Sequence, residues 1–223
     1  MRIIRSFHFQ AKKKTKKRIL NKDIPKQPDW IVAVPLSKAR IQTDWRKGRI
    51  GKGLTRVNCK TIKMIHTTES VSSVAELDLL LTSGKHAFAI MWPSNQYRNS
   101  NAFFSIGLSN GELDSLDGIE SRFIVGRTKS SVAFDLIGKT IFHNNQIVKH
   151  YPGHMKEESC LPTLLYMYVD IDRSMLSFGC EKHFWGEALN LRLLGTKVHG
   201  FLPVLSACGV TGSVMLFYKG QFD

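Results

Sequence analysis

From Trp45 onward, the apolar residues of this chain fall in short stretches of four to eight, broken by Gly, Asn, Asp and Ser. That is the pattern of strands joined by tight turns and predicts an all-β domain. The spacing predicts strands at Thr61 to Ile65, His86 to Trp92, Ala102 to Leu108, Val132 to Ile137, Thr140 to His143, Leu164 to Ile171, Met175 to Cys180, Phe201 to Ser206 and Val214 to Tyr218. Turn chemistry separates them at Ser83-Gly84, Asn110-Gly111, Gly138-Lys139, Asn144-Asn145, Asp172-Arg173-Ser174 and Gly209. Ser73 to Leu81 reads as a short helix, because Val74, Leu77, Leu80 and Leu81 recur at helical spacing. The absence of a 20- to 50-residue period argues against a propeller or solenoid.

The first 40 residues differ in kind. Lys12, Lys13, Lys14, Lys16, Lys17 and Arg18 form a dense basic patch, followed by Pro25, Pro28 and few apolar residues. Such a segment buries too little surface to offset the entropy of ordering. Residues 1–40 are therefore expected to be a flexible basic extension, and residues 41–223 the folded domain. The overall net charge of +14 is concentrated at this end. Residues 1–56 hold 17 Lys and Arg against 3 acids, and the remaining 15 basic and 15 acidic residues cancel. Any strong pull on phosphate thus belongs to the N-terminal segment. Two readings of the patch stand: a solvated tail, and a nuclear-localisation or nucleic-acid-binding arm.

Catalytic and metal chemistry find no constellation. The four cysteines form no C-x-x-C pair, which fits a reducing compartment and a cytoplasmic or nuclear location. No apolar run approaches the length of a membrane-spanning helix. His150 and His154 have the i, i+4 spacing of two ligands on a helix, but Pro152-Gly153 between them would break one. Asp170 and Asp172 would share a strand face as an acid/base pair does, yet Asp172-Arg173-Ser174 also reads as the tip of a hairpin. Gly48-Arg49-Ile50-Gly51-Lys52-Gly53 is rich in backbone N–H and positive charge, a weak candidate anion cradle that lacks the Walker pattern. The expectation is a non-enzymatic protein with no cofactor and no metal.

Five landmarks, in order, carry a resemblance. They are Gly84-Lys85-His86-Ala87-Phe88, Trp92-Pro93, the hairpin Leu136 to Asn144, the run Val169-Asp170-Ile171-Asp172-Arg173-Ser174-Met175-Leu176-Ser177-Phe178, and Phe201-Leu202-Pro203-Val204-Leu205-Ser206-Ala207. Together they resemble the SPRY domain of the SPRY domain-containing SOCS box family, closest to its member 3 type. The resemblance implies a bent antiparallel β-sandwich of concanavalin-like form. It also implies a substrate-recognition adaptor of cullin-RING ubiquitin ligases, whose surface loops hold a short peptide or loop of a target protein. Ligase components would join only through a SOCS box in a longer chain, since none follows the domain before Asp223.

On that resemblance the binding loops are those around Thr67 to Ser72, Tyr97 to Asn101, Leu116 to Ser121 and Cys208 to Thr211. The candidate contacts are Thr67, Ser70, Tyr97, Arg98, Asn99, Ser100, Asn101, Gly209, Val210 and Thr211. Arg98-Asn99-Ser100 stands where the family has Arg-Gly-Thr, and Gly209-Val210 where it has Trp-Gly, so the family's usual Asn-rich ligand is not expected. Trp92 and Phe178 read as core.

Overall fold

Two antiparallel sheets face each other across an aromatic core in the computed structural model. It describes residues 25–39, 41–65, 72–93, 102–111, 113, 117–118, 124–155, 159–195 and 199–223. In chain order, helix α1 (Asp29–Leu36) is followed by β1 (Trp45–Ile50), β2 (Leu54–Arg56), β3 (Thr61–Met64), β4 (Ser72–Leu77) and β5 (Lys85–Met91). Next come β6 (Phe103–Ser109), β7 (Asp117–Gly118), β8 (Ser131–Asp135), β9 (Thr140–His143) and β10 (Gln146–His150). The chain ends with β11 (Leu164–Asp170), β12 (Met175–Cys180), β13 (His183–Asn190), a 3₁₀ turn at Leu191–Leu194, β14 (Leu202–Cys208) and β15 (Gly212–Phe222).

The first sheet runs β1-β4-β14-β6-β8-β9-β10, with β7 added beside β4, and the second runs β13-β12-β11-β5-β15-β3-β2. Alternation decides which side chains meet between them. From the first sheet Ala75, Leu77, Phe104, Ile106, Phe134 and Leu205 point inward, and from the second Phe88, Ile90, Met167, Phe178 and Leu216 do so. Phe134 lies at the middle, 4.8 Å from the Phe178 ring and edge-on to Tyr151 at 5.2 Å. Trp92 and Phe178 are both buried, as the sequence led one to expect.

The Tyr151 hydroxyl repairs an irregularity in this frame. Where β12 slips register against β13 on either side of Ser177, it accepts from the Phe178 N–H at 3.1 Å and donates to the Gly186 carbonyl at 2.7 Å. Burial raises the Tyr151 phenol well above its usual range, so it stays a donor at every ordinary pH.

Both outer faces are also covered in part. On the first sheet, Val74, Ala133, Phe142 and Val204 pack under Leu113, Ile124 and Val125. On the second, α1 presses Trp30, Ile31 and Val34 onto Ala87, Ala89, Tyr166, Tyr168 and Phe184.

Two sequence expectations are corrected. Ser73 to Leu81 contains all but the first residue of the strand β4 and no helix: β4 pairs with both β1 and β14, and all six of its residues are buried. A strand covered on both faces loses its alternation, and the leucines beyond it produced a false helical period. Residues 29–36, counted with the flexible extension, form a helix on the sheet. Seven of the eight residues in Asp29-Trp30-Ile31-Val32-Ala33-Val34-Pro35-Leu36 are apolar, so packing rather than propensity holds it. Lys219 donates from its ammonium to the Ser37 carbonyl and ties the C-terminal end of α1 to β15, where a cation also suits the helix dipole.

Candidate functional site at the loop end of the sandwich

Strand register shows which connections share an end. Met64, where β3 stops, lies opposite Gly212, where β15 starts, and Ala207 near the end of β14 lies opposite both Ser73 of β4 and Phe104 of β6. Cys208 lies opposite Phe103, while Met91 at the end of β5 lies opposite Met215 and Leu164. Hence the connections 65–71, 92–102 and 209–211 all leave the sandwich at one end. The segment 117–118 joins them there, because Ser72 and Ser73 pair with Gly118 and Asp117.

Thr67, Ser70, Tyr97, Arg98, Asn99, Ser100 and Asn101 lie outside the described residues, as does the basic patch Lys12, Lys13, Lys14, Lys16, Lys17 and Arg18. Gly209, Val210 and Thr211 form the described turn between β14 and β15. Gly209 adopts φ +62°, Thr211 is exposed, and Val210 is only 3% exposed, packed in the main core. Val210 therefore anchors the turn, leaving Thr211 as the side chain presented outward.

Two carboxylates that sequence reading passed over brace the first sheet, Asp117 at this end and Glu76 toward the far end of β4. Glu76 is fully buried on β4, where its Oε2 accepts from Arg49 Nε at 3.0 Å and its Oε1 from Arg49 Nη2 at 2.7 Å. Arg46 lies 3.6 Å from Oε2. The same Nη2 donates to the Leu113 carbonyl at 2.7 Å and the Leu113 N–H donates to Oε1 at 3.3 Å, so the pair clamps a surface segment onto the sheet. Asp117 accepts from the Ser73 hydroxyl at 2.6 Å and the Lys52 N–H at 2.9 Å, and Ser73 Oγ accepts from the Gly53 N–H at 2.9 Å. A lone Glu inside an apolar stretch, opposite an Arg in a glycine-rich run, was the available signal.

This overturns the anion-cradle expectation for Gly48 to Gly53. Gly48, Arg49 and Ile50 belong to β1, Gly51 N–H donates to the Val74 carbonyl, and the Lys52 N–H is taken by Asp117. The anion that this run receives is the protein's own carboxylate.

The other candidate chemistries resolve into structure. Asp170 accepts from the Arg173 N–H at 2.9 Å and Asp172 from the Gly84 N–H at 3.0 Å, both at the opposite end, so the two do separate turn-holding work. His150 and His154 are exposed, and among the described residues no group of three or more ligating side chains could hold a metal. His86 is buried between Tyr218, 2.7 Å from Nδ1, and the Ser83 carbonyl, 2.7 Å from Nε2. With Nε2 donating and Nδ1 accepting, it is held neutral, and burial lowers its pKa.

Asp135 lies at the loop end, where β8 turns toward β9. Burial pushes its carboxyl up to about 6, against backbone N–H groups of Gly138, Ile137 and Phe104 that favour the charged form. The folded-state value lies above the ordinary 3.8, so the folded protein binds the extra proton. This contribution to stability is complete below pH 3.8 and is lost as pH rises through about 6. Relative to wild type, Asp135→Asn should gain stability between these values, by at most about 3 kcal/mol, and hold a constant difference above pH 7. Urea denaturation of both proteins from pH 4 to 8 checks this; a pH-independent difference would contradict it.

No protein-family model matches the sequence, and no curated protein matches it. Solved structures do match. The SPRY domain of human HERC1 superposes with a TM-score of 0.57 at 11% identity, over 78% of this chain and 96% of that one. The TRIM65 PSpry domain gives 0.57 at 13% identity, over 89% of this chain and all of that one. The stonustoxin structure gives 0.55 at 16% identity, over 79% of this chain but only 27% of that one, so this chain corresponds to about a quarter of the toxin's length. The architecture is thus the SPRY β-sandwich. Its sheets carry the landmarks noted in the sequence: His86 on β5, the Asp170 to Met175 hairpin between β11 and β12, and Leu202 to Ala207 on β14.

Proposed function

We propose that this chain is a protein-interaction module that holds a short segment of another protein against the loop end of its sandwich. The observation that carries this reading is the register: three loop connections and the braced 117–118 segment leave one end of a frame with a continuous aromatic core. Loops on a rigid scaffold are where binding residues concentrate. Within this reading the contacts are Thr67, Ser70, Tyr97, Arg98, Asn99, Ser100, Asn101 and Thr211, with Gly209 shaping the last turn. The sequence landmarks shared with the SPRY domain-containing SOCS box family support a finer role, in which the captured protein is a substrate presented to a ubiquitin ligase.

The test is affinity capture with the wild-type chain against an Arg98→Ala, Thr211→Arg double variant. Thr211 is exposed, and a variant that keeps the wild-type melting temperature should lose at least one specific partner. Identical partner sets would rule the reading out.

The concentration of positive charge in residues 1–56 favours a second reading, a nucleic-acid-binding arm working beside the domain. Deleting residues 1–24 should then abolish retention on DNA or RNA at moderate salt; unchanged retention would exclude it.

A further inference from the structure

Helix α1 is apolar on both sides, yet among the described residues only one side is covered. Trp30, Ile31 and Val34 face the sheet, whereas Val32 and Leu36 are 52% and 77% exposed. Beside its C-terminal end a groove of about 630 Å³ opens on the outer face of the second sheet. Its floor is Ala89, Tyr166 and Phe217, and Met91, 37% exposed, and Leu164 continue the apolar surface toward the loop end. An apolar helix face running into an apolar groove is the kind of surface that proteins keep exposed for a partner.

Charge says which partner. Lys38 and Lys219 line the groove, Lys60 holds its ammonium 5.6 Å from the centroid of the Phe217 ring, and among the described residues no carboxylate lines it. The chain's own N-terminal 24 residues carry 9 Lys and Arg against 1 Asp, the same sign as the rim. A second copy in a two-fold contact would likewise set lysines against lysines. A concave groove fits an extended or helical segment better than a flat bilayer.

We infer that this groove docks an acidic, apolar segment of another protein, its Leu-, Met- or Phe-type side chains seated against Phe217 and Met91 and its carboxylates meeting Lys38 and Lys60. Methionine at the rim suits such a site, because its flexible thioether adapts to differing side chains. The inference does not depend on the loop-end reading.

The test is selection from a random 12-residue peptide display library on the full-length chain, with counter-selection on a Leu36→Glu, Lys38→Glu variant. Both positions are exposed, so the variant should keep the wild-type melting temperature. Peptides enriched at least tenfold on wild type over the variant should be net acidic with two or more large apolar residues. A synthetic copy of one should bind several-fold more weakly at high salt than at low salt. Met91→Glu should reproduce the loss. No enrichment over the variant, or enrichment of neutral or basic peptides, would overturn the inference, as would co-sedimentation with phosphatidylserine vesicles in place of peptide binding. Repeating the selection on the Arg98→Ala, Thr211→Arg variant separates the two sites. Retained enrichment supports the groove, and lost enrichment assigns the peptides to the loop end and overturns the inference.

Discussion

Glu76→Ala should destabilise the protein by about 3 kcal/mol, because breaking a buried pair leaves the other charge and its hydrogen-bond partners uncompensated. Glu76 is fully buried and takes two bonds from Arg49, whose side chain is 20% exposed. The remaining exposure of Arg49 keeps the effect at the lower end of the range for buried pairs. Losing the carboxylate also strips the Leu113 N–H of its acceptor. Arg49→Ala should cost less, because Arg46 remains 3.6 Å from Glu76. Replacing both, as Arg49→Ala with Glu76→Ala, should lose clearly less than the two single losses added together, since no charge is then stranded. Urea denaturation of the four proteins measures this, and strictly additive losses would show that the pair is not coupled.

Gly107→Ala should be at least as damaging, at about 3 kcal/mol or more, the upper reach of overpacking costs. Gly107 is in the middle of β6, paired with Val204 on one side and Ala133 on the other. A Cβ there would overlap the Val132 carbonyl oxygen outright and come within 2.8 Å of its carbon and 3.0 Å of the Ala133 Cα. All three are backbone atoms of β8, so no side chain can swing away and the strands must part. Gly111→Ala is the control, because a Cβ at that position meets nothing within 4 Å and should change stability by less than about 0.5 kcal/mol. Equal effects at the two positions, read from urea midpoints, would refute the packing argument.

How much of this was legible in the sequence depended on what each strand faces. The strands Thr140 to His143 and Met175 to Cys180 were placed with their observed bounds, because each is a short run ended by Asn or by charged turn residues. The strand β1 was hidden, since Trp45-Arg46-Lys47-Gly48-Arg49-Ile50 looks like a basic, glycine-containing loop until Glu76 is known to lie beneath it. Edge strand β10 was missed for a related reason: every residue from Gln146 to His150 is exposed, so no buried face marks it. Helix α1 was obscured by Pro28 and Pro35, and its hold on the domain comes from Trp30 against Tyr168 at 5.8 Å, a contact that local pattern does not carry.

The candidate site was legible as a set of loops but not as a surface. Sequence landmarks named the connections to compare, and strand register brings their described anchors to one end. Val210 illustrates the remaining gap: beside Gly209 it read as a contact, whereas the turn points it into the core and leaves Thr211 outside. The anion reading of Gly51-Lys52-Gly53 failed because an internal acceptor, Asp117, comes from 65 residues further along the chain.

The central claim, capture of a protein segment at the loop end, is tested most directly by photo-crosslinking. A benzophenone side chain placed at Asn99, in the connection between β5 and β6, or at Thr211 is compared with one at Arg173, at the opposite end from Thr211, during incubation with lysate. The account predicts a shared crosslinked partner from positions 99 and 211 and none from position 173. The same partner from all three, or from position 173 alone, would contradict it.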